Sequence, residues 1–272
     1  MGADISAINN TAVFYELDPA NTDFEAVFKC RPFDVCINAS GAASVPNSLE
    51  TPLLDFSLNS GNVIKILEAI RTHNPACFLI NFSSAAVYGN PQSLPIKEGM
   101  QPAPMSPYGW HKYYAEQICR EYTEFFNIKT CNLRVFSAYG PRLRKQFFWD
   151  LFNKLKTGED VSLFGTGNES RDFIYAEDIS RCVELVIENR NTVPPVINIA
   201  SGIETTIKEA AQTFAKLTGY TSAISFRGET RAGDPINWRA DIGVLRSIGF
   251  NPLFTLEQGL EEYIAWLRKE EK

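Results

Sequence analysis

Apolar residues along this chain come in two rhythms. Short continuous runs at residues 11–17, 33–39, 76–84 and 128–136 have the length and content of buried strands. Between them, apolar positions recur at helical spacing over 22–30, 52–72 and from 107 to about 127. Strand and helix taking turns predicts an α/β fold, a parallel, doubly wound sheet with right-handed crossovers. Past Tyr139-Gly140-Pro141 the regularity loosens. A helix is expected over 147–157, a short strand over 161–164 and a turn at 165–168. Residues 172–175, 176–188 and 196–199 read as strand, helix and strand returning to the main sheet. The last seventy or so residues are helix-rich with Gly and Pro punctuation, and predict a smaller lobe. The two patterns interleave, so the expected domains are discontinuous: 1–140 with 172–200, and 141–171 with 201–272.

Length and composition narrow the field without naming a chemistry. The 272 residues suffice for one large domain or two closely joined ones. A net charge of −6 without any basic run argues against nucleic acid and anionic membrane as partners. No apolar stretch reaches transmembrane length, and the first residues show no signal core, so the expected location is cytoplasmic. The six cysteines (30, 36, 77, 119, 131 and 182) form no C-x-x-C, and most sit in apolar strand or helix patterns. They read as reduced, buried thiols. With His73 and His111 the only histidines, no metal site is expected.

The candidate chemistry lies in Ser83-Ser84-Ala85-Ala86-Val87-Tyr88-Gly89 and Ser106-Pro107-Tyr108-Gly109-Trp110-His111-Lys112. The first closes an apolar strand on two hydroxyls, at the carboxyl edge where open α/β sheets place ligands. The second opens a helix, with Ser106 as a capping residue and Pro107 suited to the first turn. Tyr108 and Lys112 are four apart and share a face. An ammonium one turn from a phenol favours phenolate, so Tyr108 is expected below its ordinary pKa and able to move a proton. Ser84 could hydrogen-bond the oxygen that Tyr108 protonates or deprotonates.

Ser84 with Tyr108-Gly-Trp-His-Lys112 resembles the extended short-chain dehydrogenase/reductase superfamily, and within it the nucleotide-sugar 4-epimerases. The likeness extends over almost the whole chain. It implies a Rossmann-like fold, NAD as cofactor and a nucleotide sugar, a UDP-hexose, as substrate. Tyr108, as phenolate, would take the C4 hydroxyl proton while hydride passes to NAD and later returns to the other sugar face. Lys112 would tune the phenol and bind the nicotinamide ribose, and Ser84 would hold O4. Asp4 and Asp18 match residues that bind the adenosine end, and Ala39, Ser40 and Gly41 a loop packed on it. Asn59 matches a helix asparagine that orders the site. Ser44 falls in the substrate-facing loop, and Ser137 stands where the family usually has Asn beside the diphosphate. Arg171 and Arg231-Ala232-Gly233-Asp234 resemble segments whose arginines clamp the nucleotide diphosphate, and Phe164-Gly165 would line the base side. Trp238 and Phe147-Phe148-Trp149 read as packing residues. Dehydratases of the superfamily carry Asp-Glu after the serine and sugar decarboxylases a Glu. Ala85-Ala86 can do neither job. The smaller lobe would then bind the nucleotide sugar, and a homodimer would form through the helices at 52–72 and 107–127.

One part of the pattern is missing. No G-x-G-x-x-G or G-x-x-G-x-x-G turn occurs in the sequence, although a dinucleotide fold should open with one. On this alignment the first strand, glycine turn and helix are absent, which reads as an N-terminally truncated sheet. A misplaced start, a gene fragment, or a chain that no longer binds cofactor normally would each produce it. Three other readings therefore stand beside the epimerase. They are a nucleotide-sugar reductase or dehydrogenase, a cofactor-poor binding or regulatory protein, and an inactive fragment. A lipid- or steroid-directed enzyme is disfavoured, because Arg171 and Arg231 would have no phosphate to meet.

Overall fold

The computed structural model describes residues 13, 15, 23–229 and 235–270. Four strands form its central sheet: β1 (Val35–Asn38), β2 (Phe78–Ser84), β3 (Thr130–Val135) and β8 (Val196–Ile199). They lie in the order β1-β2-β3-β8, all parallel. The expected strands at 33–39, 76–84, 128–136 and 196–199 are thus present, the first and third trimmed at both ends, the second at its start, and the last with the expected bounds. Of the strand expected at 11–17 only Val13 and Tyr15 are described, both exposed and outside any regular element.

The register is marked by a row of buried amides. Asn38, Asn81 and Asn132 are Cα partners across β1, β2 and β3. Asn38 Nδ2 donates to Asn81 Oδ1 at 3.0 Å, and Asn81 Nδ2 to Asn132 Oδ1 at 2.9 Å. Each amide satisfies its neighbour, and a one-residue slip would leave all three unpaired in the core.

Helices cover both faces. On one face, α1 (Glu25–Cys30), α4 (Asn62–His73) and α5 (Pro107–Phe126) bury Phe28, Leu67, Ile70, Cys119 and Ile128 with Leu79. On the other, α7 (Ala176–Glu188) packs Cys182 and Val186 with Ile80, Leu133 and Ile197. Trp238, Ile242, Leu245 and Phe250, from the chain around α9 (Gly243–Ser247), join that second face. The sheet is therefore wound on both sides, as expected.

The long helix expected at 52–72 is a rod in three parts. The short helix α2 (Val45–Glu50) precedes it, and then α3 (Pro52–Phe56), a π turn (Ser57–Gly61) and α4 follow without a gap. A π turn widens the helix and is common where side chains must be aimed at a site. Here it buries Asn59 and Ser60 against α5. α5 itself starts as its sequence predicts: Ser106 Oγ accepts from Gly109 N at 3.2 Å, and Pro107 occupies the first turn.

A second core lies under α6 (Gln146–Leu155), α8 (Ile207–Thr218) and α10 (Leu256–Glu270), around Phe148, Leu151, Phe214, Tyr263 and Leu267. Three small sheets tie it together. They pair β4 (Ser137–Tyr139) with β7 (Phe173–Tyr175), β5 (Val161–Leu163) with β10 (Ile224–Phe226), and β6 (Ser170–Arg171) with β9 (Thr205–Thr206). The strand expected at 172–175 does not rejoin the main sheet. It pairs in parallel with β4, because the chain leaves β3 at Phe136 and starts a separate edge.

Candidate active site

The carboxyl end of β2 and the amino end of α5 meet directly. A Cβ on Gly109 would lie 2.8 Å from Ala86 O, so only glycine lets the first turn of α5 sit this close to the chain after β2. The approach places Tyr108 close enough to Ser84 for the serine to favour the charged form of the phenol. Ser84 Oγ accepts from Ala86 N at 3.2 Å, which caps the single 3-10 turn that follows. The serine is thus held by backbone before it meets any ligand.

The electrostatics differ from the sequence expectation. Burial raises the Tyr108 phenol above its ordinary value, the neighbouring Ser84 opposes the rise, and the Asp55 carboxylate adds to it. Lys112 turns its ammonium to Phe82 O, at 2.9 Å. Its own pKa is pushed down to about 8, chiefly by burial; Asp55 and Glu116 oppose the fall and Lys145 adds to it. The spacing of Tyr108 and Lys112 was legible from sequence, but the sign of the phenol's shift depends on burial, which spacing does not report.

Gly41, Asn59 and Lys112 converge at a second point. Gly41 has φ +120°, and a Cβ there would lie 2.4 Å from Asn59 Oδ1 and 3.5 Å from Lys112 Nζ. Both amide atoms of Asn59 are buried and unbonded. Unpaired polar atoms in the interior are costly, which sets this amide apart from the satisfied asparagines of the sheet. Ala39 and Ser40 continue the same loop on the open side, with Ser40 tied to Asn38 Oδ1 through its N and Oγ at 3.2 and 2.6 Å. Gly41→Ala should raise the dissociation constant of a dinucleotide at least tenfold by calorimetry, about 1.4 kcal/mol or more. Its circular dichroism should stay native.

A cavity of about 910 Å³ opens from Ser84 and Tyr108 towards the smaller lobe. Ser44, Ser137, Phe164 and Arg171 line it with them. Ser44 caps α2, its Oγ accepting from Asn47 N at 3.3 Å. Ser137 opens β4, and Arg171 ends β6 with its guanidinium donating to Ser170 O at 2.8 Å and lying over the Trp238 ring. Trp238 and Phe148 are buried yet also present a face to this cavity. Asp4, Asp18, Arg231 and Asp234 lie outside the described residues.

The match to known proteins covers the same ground. Residues 3–200 match the model of the NAD dependent epimerase/dehydratase family. The chain belongs to that family. Among relatives of this family, the Bacillus subtilis protein YtcB, named as an uncharacterized UDP-glucose epimerase, is 30% identical over 205 residues. That match spans 75% of this chain and 64% of YtcB. A solved UDP-N-acetylglucosamine 4-epimerase from Methanobrevibacter ruminantium, in complex with UDP-N-acetylmuramic acid, superposes with a TM-score of 0.85 at 28% identity. It covers 93% of this chain and 82% of that one. The UDP-glucose 4-epimerase of Thermotoga maritima, solved with UDP-glucose, gives a TM-score of 0.87 at 26% identity, covering 97% and 87%.

Two buried ionic clusters beside the site were not foreseen. Asp55 meets His111 with Oδ1 2.6 Å from Nδ1. Glu116 takes both a fork from Arg134 and the hydroxyl of Ser83. Glu116 follows Lys112 by four residues, and Asp55 precedes Asn59 by four. Each therefore sits on the same helix face as a residue already singled out, which is the signal that could have found it.

Proposed function

We propose that this member of the family is an NAD-dependent 4-epimerase of a nucleotide-activated hexose, a UDP-sugar. The observation that carries the reading is the pair of hydroxyl residues, Ser84 and Tyr108, lining the same cavity as Arg171. NAD, when bound, supplies a reversible hydride acceptor for the sugar's C4. The residues present fit its nicotinamide-ribose end: Gly41 leaves the room, Asn59 has free amide atoms, and Lys112 brings a buried ammonium.

Within that site Tyr108 accepts the C4 hydroxyl proton and returns it to the same oxygen at the end of the cycle. Ser84 hydrogen-bonds that oxygen and steadies the charge that develops on it. Arg171 and Arg231 hold the diphosphate end while the sugar turns over, a task suited to a planar guanidinium fork, and Asp234 belongs to the same substrate-binding segment. Ala85 and Ala86 offer no acid or base to neighbouring carbons, so elimination and decarboxylation have no catalyst there.

Two further expectations belong to this reading. Leu53, Leu54, Phe56, Ile64, Trp110 and Tyr114 are exposed apolar side chains on the adjoining α3–α4 rod and α5, and we take this face to close a homodimer. Light scattering should give twice the chain mass, and a monomer at micromolar concentration would refute it. Six unpaired thiols fit a reducing, cytoplasmic setting.

The deciding experiment supplies NAD with UDP-glucose, UDP-N-acetylglucosamine or UDP-glucuronate and follows the sugar's H4 signal by NMR. Epimer should accumulate to an equilibrium mixture without net NADH. Stoichiometric NADH would make the protein a dehydrogenase instead, and failure to bind NAD would overturn both enzyme readings.

A further inference from the structure

The turn that follows Ser84 is held from two sides. Gly89 closes the 3-10 turn with φ +60°, and its carbonyl accepts from Trp238 Nε1 at 3.0 Å. The next residue, Asn90, accepts from Ile236 N through its Oδ1 at 2.7 Å. That bond settles which way round the amide stands, oxygen to the backbone donor and Nδ2 away from it. Among the described residues Nδ2 makes no hydrogen bond of its own. Asn90 lines the large cavity with Ser84, Tyr108 and Met105.

Met105 packs directly on this turn, since a Cβ on Gly89 would lie 3.1 Å from its Cγ. It is 46% exposed, three residues before Tyr108. An oriented amide donor and an uncommitted thioether therefore stand side by side in the cavity wall. A methionine there can shape itself to a small apolar group.

The place of this pair relative to the nucleotide follows from Ile236. Its N–H bonds Asn90, and its carbonyl accepts from Arg171 Nη1 at 3.3 Å. One residue thus separates the free amide from the guanidinium assigned to the diphosphate. In a nucleotide sugar the phosphate sits on C1, so the substituent within reach of Asn90 is the one on C2. A carboxylate on C6 lies across the ring and would call for a cation. A bare C2 hydroxyl has no methyl to set against Met105.

We propose that Asn90 and Met105 select a 2-acetamido sugar: Asn90 Nδ2 donates to the acetamido carbonyl, and Met105 covers the methyl. The inference rests on the epimerase reading of the same site and narrows its substrate to a UDP-N-acetylhexosamine.

The wild type should show kcat/KM for UDP-N-acetylglucosamine about tenfold or more above that for UDP-glucose or UDP-glucuronate. Asn90→Asp keeps the acceptor for Ile236 N and replaces the free donor by an acceptor facing the carbonyl. The ratio of UDP-N-acetylglucosamine to UDP-glucose should fall by about tenfold or more. Met105→Ala should lower the same ratio by about tenfold, the lower end of what an apolar pocket draws from one methyl group. Calorimetry gives the corresponding ratio of dissociation constants, with UDP alone as the reference in each variant. Equal losses on both sugars in Asn90→Asp would reduce Asn90 to a tie on Ile236 and overturn the proposal. A wild type that prefers UDP-glucose or UDP-glucuronate would overturn it as well. If no sugar were epimerised, the epimerase reading would fall, and the calorimetric ratios would still decide whether the acetamido group is recognised.

Discussion

Tyr108→Phe should lower kcat by about 10²- to 10⁴-fold, the range over which a positioned acid–base group acts. The ring stays and the hydroxyl goes, so the substitution removes the cavity-lining phenol that sits beside Ser84. Tyr108 packs at the start of α5, whose cap and first turn rest on Ser106, Pro107 and Gly109, none of which the change touches. The melting temperature should accordingly move by no more than a few degrees. KM should change little, since the nucleotide contact proposed for Arg171 is not touched. NMR progress curves at saturating UDP-sugar test the first point and calorimetric melting the second. A variant retaining more than a tenth of wild-type kcat would mean that another group moves the C4 proton. Ser84→Ala offers the graded comparison, with a loss of the order expected for one hydrogen-bond donor at a developing oxyanion, about 10²-fold.

Much of this site was legible before any coordinates. An apolar run ending in two hydroxyls had to be a buried strand with Ser84 at its exit. A serine, a proline and the Tyr108–Lys112 spacing had to open a helix. Gly109 then brings the two together. What pattern could not show was polarity inside the core. Asn38, Asn81 and Asn132 interrupt apolar strands and look like surface positions until the register pairs them. Asp55 and Glu116 look like solvated helix charges until the packing of α3 on α5, and of α5 on β2 and β3, closes over them. The pairing of β7 with β4 was equally hidden, because three-residue strands carry too little pattern to choose an edge. The direction of the Tyr108 shift belongs to the same class, since it is set by how much water the fold removes.

Glu116 is where that hidden polarity matters most for stability. Arg134 donates from Nε to Glu116 Oε1 at 2.9 Å and from Nη2 to Oε2 at 2.6 Å. Both side chains are under 5% exposed. Ser83 Oγ adds a bond to Oε1 at 2.5 Å, Arg134 Nη1 reaches Glu98 O at 3.1 Å, and the Tyr88 ring lies under the guanidinium. One carboxylate thus joins α5, β2 and β3 immediately behind Ser84 and Lys112. Glu116→Gln keeps the volume but turns an acceptor into a donor facing a guanidinium, and leaves the Arg134 charge buried and unmatched. Breaking such a pair costs about 3–5 kcal/mol. That is a large share of the 5–15 kcal/mol that holds an ordinary domain together. Urea unfolding should show a lower midpoint with an unchanged slope, and the melting temperature should fall by roughly 10 °C. The decisive comparison is Glu116→Leu with Arg134→Met. Removing both charges should restore most of the loss, because an apolar replacement bears no desolvation cost. If the double variant were no more stable than Glu116→Gln alone, packing and not charge matching would be what Glu116 supplies.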